Sequence, residues 1–565
     1  HDLTFAGAGA TAALPPSPAY TPTVAAIEFG TVTPMTFNAS GQATGSMVLY
    51  LVETAHITAA DGLINADDHK LDVDVSHAGP DFLTISGSPT QIAGTSQTIT
   101  IRAYDHYNNL ATGYEGSKSL TFSGANASPT PGTDPTVDDI VFSNPTSITF
   151  SDGEATGSMK LYAAETAHIT ATDGAIDADD HKLDVVVSDA VHAYLKITGT
   201  GTQTAGTSQN ITITAYDEFN NVAIAYTGSK TLTFSGANPS PDPASWPTIG
   251  GVVVDGTNSV SLTFVNGVCS GVPMVLYKAE TAEITAFDNT VPPINADLHK
   301  LSVIVDHATP DYLTVTGTGT QVAGTSQTIT VTAYDAYNNL ATGYTGGHSL
   351  TFSGANPSPD PATNPKVAGI AFGSPTNLIF TDESAAAEMY LYKVETAEVT
   401  ATDGTIDAED HELTVVVSHA SPDYLAVTGT GTQEAGTSQT ITVTAYDAYN
   451  NVATGYEGSK NLTFSGANPS PLPATNPTVD GIDLGLTTSL TFTAGVATGT
   501  MYLYKVETAH ISANDGEINA TEHKLTVLVS HAAPAYLAVT GNGTQTAGDS
   551  QTITVTAYDA YNNVA

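Results

Sequence analysis

The side chains best suited to chemistry are the carboxylates of an acidic segment, Asp173-Gly174-Ala175-Ile176-Asp177-Ala178-Asp179-Asp180-His181. It recurs as Asp61 to His69, with Asp67 and Asp68, and as Asp403 to His411, with Asp407 and Asp410. Weaker copies run from Asp288 to His299 and from Asp515 to His523. Oxygen donors at this density suit calcium, which takes about six to eight of them. The number of acids varies between copies, however, Asn65, Asn295 and Asn519 stand where Asp177 does, and the spacing is not that of an EF-hand loop. A solvated Asp-Gly turn is the plainer reading. No cofactor is required, and calcium is a candidate only.

Histidines precede the last apolar run of each copy, at His69, His181, His299, His411 and His523, and read as surface residues of a hairpin. A second series, His56, His168 and His510, gives way to Glu283 and Glu398, so a metal ligand is not kept there. Cys269 is the sole cysteine, which rules out an intrachain disulfide and a cysteine zinc site. Six Asn-X-Ser/Thr triplets, at Asn38, Asn126, Asn210, Asn461, Asn519 and Asn542, are glycosylation candidates of the kind a Thr-rich composition produces by chance. There is no Gly-rich phosphate loop and no Gly-X-Ser-X-Gly elbow. Nearly every polar feature is multiplied, whereas a catalytic group on repeated scaffolding should occur once. The expectation is therefore a protein that is not an enzyme.

The chain has 565 residues, 57 acidic and 14 basic, for a net charge of −43, with 41% hydrophobic residues. That apolar content is enough to bury cores, and the charge excludes nucleic acid and anionic membrane surfaces as partners. No apolar run approaches the ~18–20 residues a membrane span needs. A chain that opens on His1 is expected to have lost a leader or to be an excerpt.

The elements that position these residues are repeats. Ala-Gly-[Thr/Asp]-Ser-Gln begins at Ala93, Ala205, Ala323, Ala435 and Ala547, with spacings of 112, 118, 112 and 112 residues. Ala-Tyr-Asp, Leu-Thr-Phe and Glu-Thr-Ala recur in step. Within residues 419–530, Leu425 and Val427, then Ile441, Val443 and Ala445, then Leu462 and Phe464, alternate with polar residues, the period of a strand with one buried face. Seven short strands per unit, Asn and Gly at the turns and no sustained helical period predict an all-β fold, a tandem array of seven-stranded immunoglobulin-like β-sandwiches. Short junctions such as Ser418 to Asp423 predict a rod of stiffly linked modules, each roughly 35 Å long. The Pro-rich loop Ser465 to Ala474 is expected to decorate the outside of its module.

The run from Ala323 to Tyr344, Ala-Gly-Thr-Ser-Gln-Thr-Ile-Thr-Val-Thr-Ala-Tyr-Asp-Ala-Tyr-Asn-Asn-Leu-Ala-Thr-Gly-Tyr, followed by Leu350-Thr351-Phe352, resembles the tandem bacterial immunoglobulin-like repeats of invasin/intimin-type and filamin-like surface proteins. The resemblance covers essentially the whole chain. It implies an extracellular, cell-surface stalk, fibre component or adhesin without catalytic residues in these modules.

Boundaries after Ser76, Ser188, Asp306, Ser418 and Ser530 give whole modules at 77–188, 189–306, 307–418 and 419–530, and two partial ones. Residues 1–76 hold strands three to seven, and residues 531–565 hold strands one and two. The pieces, of 76 and 35 residues, are one residue short of a 112-residue repeat. The sharper expectation is a head-to-tail homopolymer in which the last strands of one copy complete the first module of the next. Leu3, Phe5, Leu537, Val539, Ile553, Val555 and Tyr558 would carry that interface. Two other readings stand beside it: a segment cut from a longer repeat protein, and an adhesin array that binds glycans or other surface proteins.

Overall fold

The computed structural model describes residues 1–290 and 293–565, and all regular structure among them is β-strand. The loop Asn289 to Pro293 therefore lies partly outside the described residues. Two compact units divide the chain, residues 1–239 with 244–306, and residues 240–243 with 307–565.

Residues 419–530 show how one module is built. One sheet has the strand order 422–428, 438–447, 496–502, 478–479, 482–483, and the facing sheet runs 432–434, 525–530, 508–514, 458–465, 487–492. Seven of these strands are the ones the alternation predicts. The other three are short: Thr432–Glu434, which pairs in parallel with Leu525–Ser530, and the small hairpin Thr478–Val479 with Ile482–Asp483. Because side chains alternate across a strand, the inward set of both sheets meets in one core. That core holds Leu425, Val427, Ile441, Val443, Leu462, Phe464, Leu490, Phe492, Met501, Ile511 and Val527, all buried. Equivalent cores occupy 77–188 and 307–418, and the two sheets between His192 and Asp306 repeat the plan.

The Pro-rich loop Ser465 to Ala474 is exposed along most of its length, and it also makes contacts the sequence reading did not foresee. Ser470 is buried, where its hydroxyl receives the Thr475 N–H, and the carbonyls of Pro471 and Pro473 accept hydrogen bonds from Asn562. The loop thus lies on the outside of its module and also touches the next one through those two carbonyls.

Residues 1–76 form a four-stranded sheet, ordered 32–34, 2–6, 54–60, 71–74, and a three-stranded sheet, 27–28, 23–24, 47–48. The strand equivalent to Val496–Tyr502, which in the whole module pairs along its length with Ser438–Asp447, is reduced to Met47–Val48. Residues 531–565 form one antiparallel pair, Pro534–Thr540 with Thr554–Asp559, whose Leu537, Val539, Ile553 and Val555 are exposed.

Candidate assembly site

The open half-sandwich of residues 1–76 carries an apolar groove of about 340 Å³ lined by Leu3, Phe5, Val24, Met35, Met47 and Leu71, among others. Each lining residue has a counterpart in residues 419–530 that is closed off from water. Leu71 is 56% exposed where Leu525 is 8% exposed, and Phe37 is 40% exposed where Phe492 is 2% exposed. In the whole module the corresponding surface is covered by the strands Pro422–Thr428 and Ser438–Asp447, and residues 534–559 repeat that pair 112 positions later. Leu537 is 66% exposed against 0% for Leu425, and Ile553 is 56% exposed against 0% for Ile441. Val539 and Val555 follow the same pattern. Fully burying such a side chain is worth about 1.5–3 kcal/mol, so both exposed faces are apolar surfaces of the kind that mark contact sites.

Of the interface residues read from the sequence, Leu3 and Phe5 line the groove, while Leu537, Val539, Ile553 and Val555 form the bare face of the terminal pair. Tyr558 is different. Its ring stacks on Tyr536 at 5.4 Å, on the outward side of the strands, as Tyr446 stacks on Tyr424 at 5.3 Å.

The terminal pair is held in place by a junction that sequence reasoning took for a simple turn. Asp559 is fully buried, and its carboxylate accepts the N–H groups of Ala532, Tyr561 and Asn563 and the Asn563 amide. Burial pushes this carboxyl upward, but the Asn563 amide and those N–H donors outweigh it and hold it below the ordinary range. The same Asn563 amide donates to the Tyr504 carbonyl and accepts from the Val506 N–H, clasping the backbone of the preceding module. The clasp recurs as Asn109 on Tyr50 and Val52, Asn221 on Tyr162 and Ala164, and Asn451 on Tyr392 and Val394. An aromatic ring seals it: Tyr561 packs over Tyr504, centroids 5.0 Å apart, and sits so close to Gly436 that a methyl group there would overlap the ring. The fivefold Asp-X-X-Asn-Asn pattern was the available signal.

Several carboxylates of the acidic segments make local hydrogen bonds. Asp173 Oδ1 accepts the N–H groups of Ala175 and Ile176, while its Oδ2 accepts the Tyr114 hydroxyl at 2.6 Å, and Lys118 lies over the Tyr114 ring. Asp403 pairs likewise with Tyr344, and Asp515 with Tyr456. Asp61 caps Leu63 and Ile64. Asp177 and Asp407 each cap the residue two places on, and Asp67 and Asp179 accept from Thr58 and Thr170. Asp68, Asp180 and Asp410 are exposed. Among the described residues, no three His, Cys, Asp or Glu side chains converge as a metal-holding group.

The glycosylation candidates divide by geometry. Asn126 binds Glu165, Asn38 caps Ser40 and Gln42, and Asn519 caps Thr521. Asn210, Asn461 and Asn542 are exposed. The histidine before the last strand is more than a surface residue. His181, His299, His411 and His523 stack on Phe82, Tyr194, Tyr312 and Tyr424, with centroids 4.1–4.5 Å apart. His56 and His168 face Asp72 and Asp184 on exposed strands, and Cys269 is a buried side chain of the core.

No protein-family model matches the chain, and no curated protein sequence does. Among solved structures it is similar to invasin, a bacterial integrin-binding protein, at 12% identity over 82% of this chain and 81% of that one, with a TM-score of 0.28. The adhesin InvE of Yersinia pseudotuberculosis gives 15% identity over 40% and 58%, with a TM-score of 0.19. The ICAM-5 D1–D4 ectodomain fragment gives 8% over 84% and 98%, with a TM-score of 0.23. At these scores the likeness carries no argument, and the fold stands on the sheets described above. No helix among the described residues is long and apolar enough to cross a membrane.

Proposed function

We propose that this protein is a structural subunit of an extracellular, cell-surface filament or stalk, a homopolymer assembled head to tail. The terminal strands of one copy, Pro534–Thr540 and Thr554–Asp559, enter the open half-sandwich at residues 1–76 of the next. The observation that carries this reading is the matched exposure of two surfaces that are buried against each other in every whole module, Leu537 and Ile553 on one side and Phe37 and Leu71 on the other. A contact between different patches of the same chain does not close on itself, so it propagates as a fibre. The subunit boundary then lies inside a hydrophobic core, while the clasps at Asn109 and Asn563 that flank the composite module each stay within one chain. Repeated modules joined by such clasps suit length and stiffness, which is the task of a stalk.

Light scattering of the full chain over a dilution series, with electron microscopy of the same samples, tests this. Growth into uniform fibres with rising concentration supports the proposal; a chain that stays monomeric at all concentrations, or forms only irregular aggregates, overturns it.

A further inference from the structure

In whole modules the first strand is fixed by more than its apolar side chains. The Leu425 and Val427 N–H groups donate to the carbonyls of Asn519 and His523, in the loop before the last strand. The His523 ring then lies flat on Tyr424, centroids 4.1 Å apart, and Tyr424 lies on Tyr446, giving three stacked rings. The stack belongs to one register, because a shift of the first strand by one residue would turn Tyr424 to the other face.

Each half of this device is present, separately, at the two ends of this chain. Tyr536 lies on Tyr558, its hydroxyl donates to Asn562 at 2.6 Å, and it remains 46% exposed. At the other end, the loop from Asn65 to His69 is already in its receiving conformation. The Ala66 N–H donates to Ala59 and the His69 N–H to Ala66, matching Ala520 to Ala513 and His523 to Ala520. Asn65 bridges to Ala60 as Asn519 does to Asn514.

Resting on the assembly reading above, the geometry points to a specific lock between copies: His69 of one copy closes on Tyr536 of another, with Tyr558 as the third ring. In the same register, the Leu537 and Val539 N–H groups donate to the carbonyls of Asn65 and His69, and Thr544–Thr546 runs parallel beside the strand that follows Leu71. Stacked aromatic pairs contribute beyond their buried area, and here they add to the apolar alternation of Leu537 and Val539 in favouring one register.

A double-mutant cycle on the full chain tests the lock. His69 and Tyr536 are both exposed in the free chain, so His69→Ala and Tyr536→Ala leave the modules folded. Each single change is expected to weaken assembly, read as the critical concentration for fibre growth, by about two- to tenfold. The double variant is expected to be no weaker than the worse single one, because the two rings act as one contact. Fibres that form normally while the two changes multiply independently overturn the lock and leave the assembly reading standing. Wild-type chain that never assembles overturns both.

Discussion

Phe82 stands at the position of Tyr194, Tyr424 and Tyr536, whose hydroxyls donate to Asn220, Asn450 and Asn562, and the equivalent Asn108 Oδ1 is buried without a donor. The asparagine keeps its left-handed backbone, φ 69°, and its amide still donates to two carbonyls, those of Ala12 and Pro18, while the acceptor side has lost its hydroxyl donor. Phe82→Tyr is therefore expected to stabilise residues 77–188 by about 0.5–1.5 kcal/mol. Native-state hydrogen exchange over Pro80–Ser86 measures it. Unchanged protection there would mean the orphaned oxygen has found another partner.

The clasp residue Asn451 offers a second test. Asn451→Ala removes the partners of the Tyr392 carbonyl and the Val394 N–H and strips the buried Asp447 of its amide donor. Leaving such groups unpaired costs about 1–3 kcal/mol each where they stay dry. The expected outcome is faster exchange at Val394 and larger-amplitude motion between residues 307–418 and 419–530, read by residual dipolar couplings. Couplings that match the wild type would show that the ring of Tyr449 on Tyr392 holds the junction alone.

Acid sensitivity follows from the tyrosine–aspartate pairs. Burial raises the Asp515 carboxyl, but the Tyr456 hydroxyl and the Ile518 and Glu517 N–H groups outweigh it, so the net shift is downward. A carboxylate with a depressed folded-state pKa stabilises above its unfolded value and loses that contribution as pH falls through the folded one. Asp173 and Asp403 are shifted the same way. Thermal stability is thus expected to fall as pH drops below the ordinary aspartate value of about 4, where the unfolded chain takes up protons that the folded carboxylates resist. Tyr456→Phe should flatten the acid limb as well as lower stability at neutral pH. A variant with the wild-type acid limb would contradict the role given to the pair.

Salt provides a fourth. At a net charge of −43, copies repel one another at long range. Screening shortens that repulsion to about 10 Å at 0.1 M ionic strength. Fibre growth is expected to quicken as sodium chloride rises from about 10 to 300 mM. Growth that slows with salt would mean the contact is driven by opposite charges instead of apolar burial.

The sandwich was legible in the sequence because period-two alternation reports directly on which side of a strand is buried. Leu425, Val427, Ile441, Val443, Leu462 and Phe464 all sit in the core as their spacing implies. What stayed hidden depends on residues far apart in the chain. The Tyr561-Asn562-Asn563 segment reads as a turn, and it is one, but its partners at Tyr504 and Val506 lie more than fifty residues away. The same distance hid the Asp173 bond to Tyr114 and the ring stack of His523 on Tyr424. Composition pointed the Pro-rich loop outward, since prolines cannot join a ladder. Its free carbonyls are what the next module's asparagine uses.

Mixing two disabled copies addresses the central claim most directly. In the first, Leu537→Asp and Val555→Asp place charges on the bare face of the terminal pair; in the second, Leu71→Asp places one in the groove. All three positions are more than half exposed in the free chain, so both copies should fold. Each alone is expected to stay monomeric by sedimentation, and an equimolar mixture to give a one-to-one dimer and nothing larger, because one intact insert meets one intact groove. A mixture that stays monomeric beside a wild type that forms fibres, or a first copy that still polymerises by itself, would contradict it.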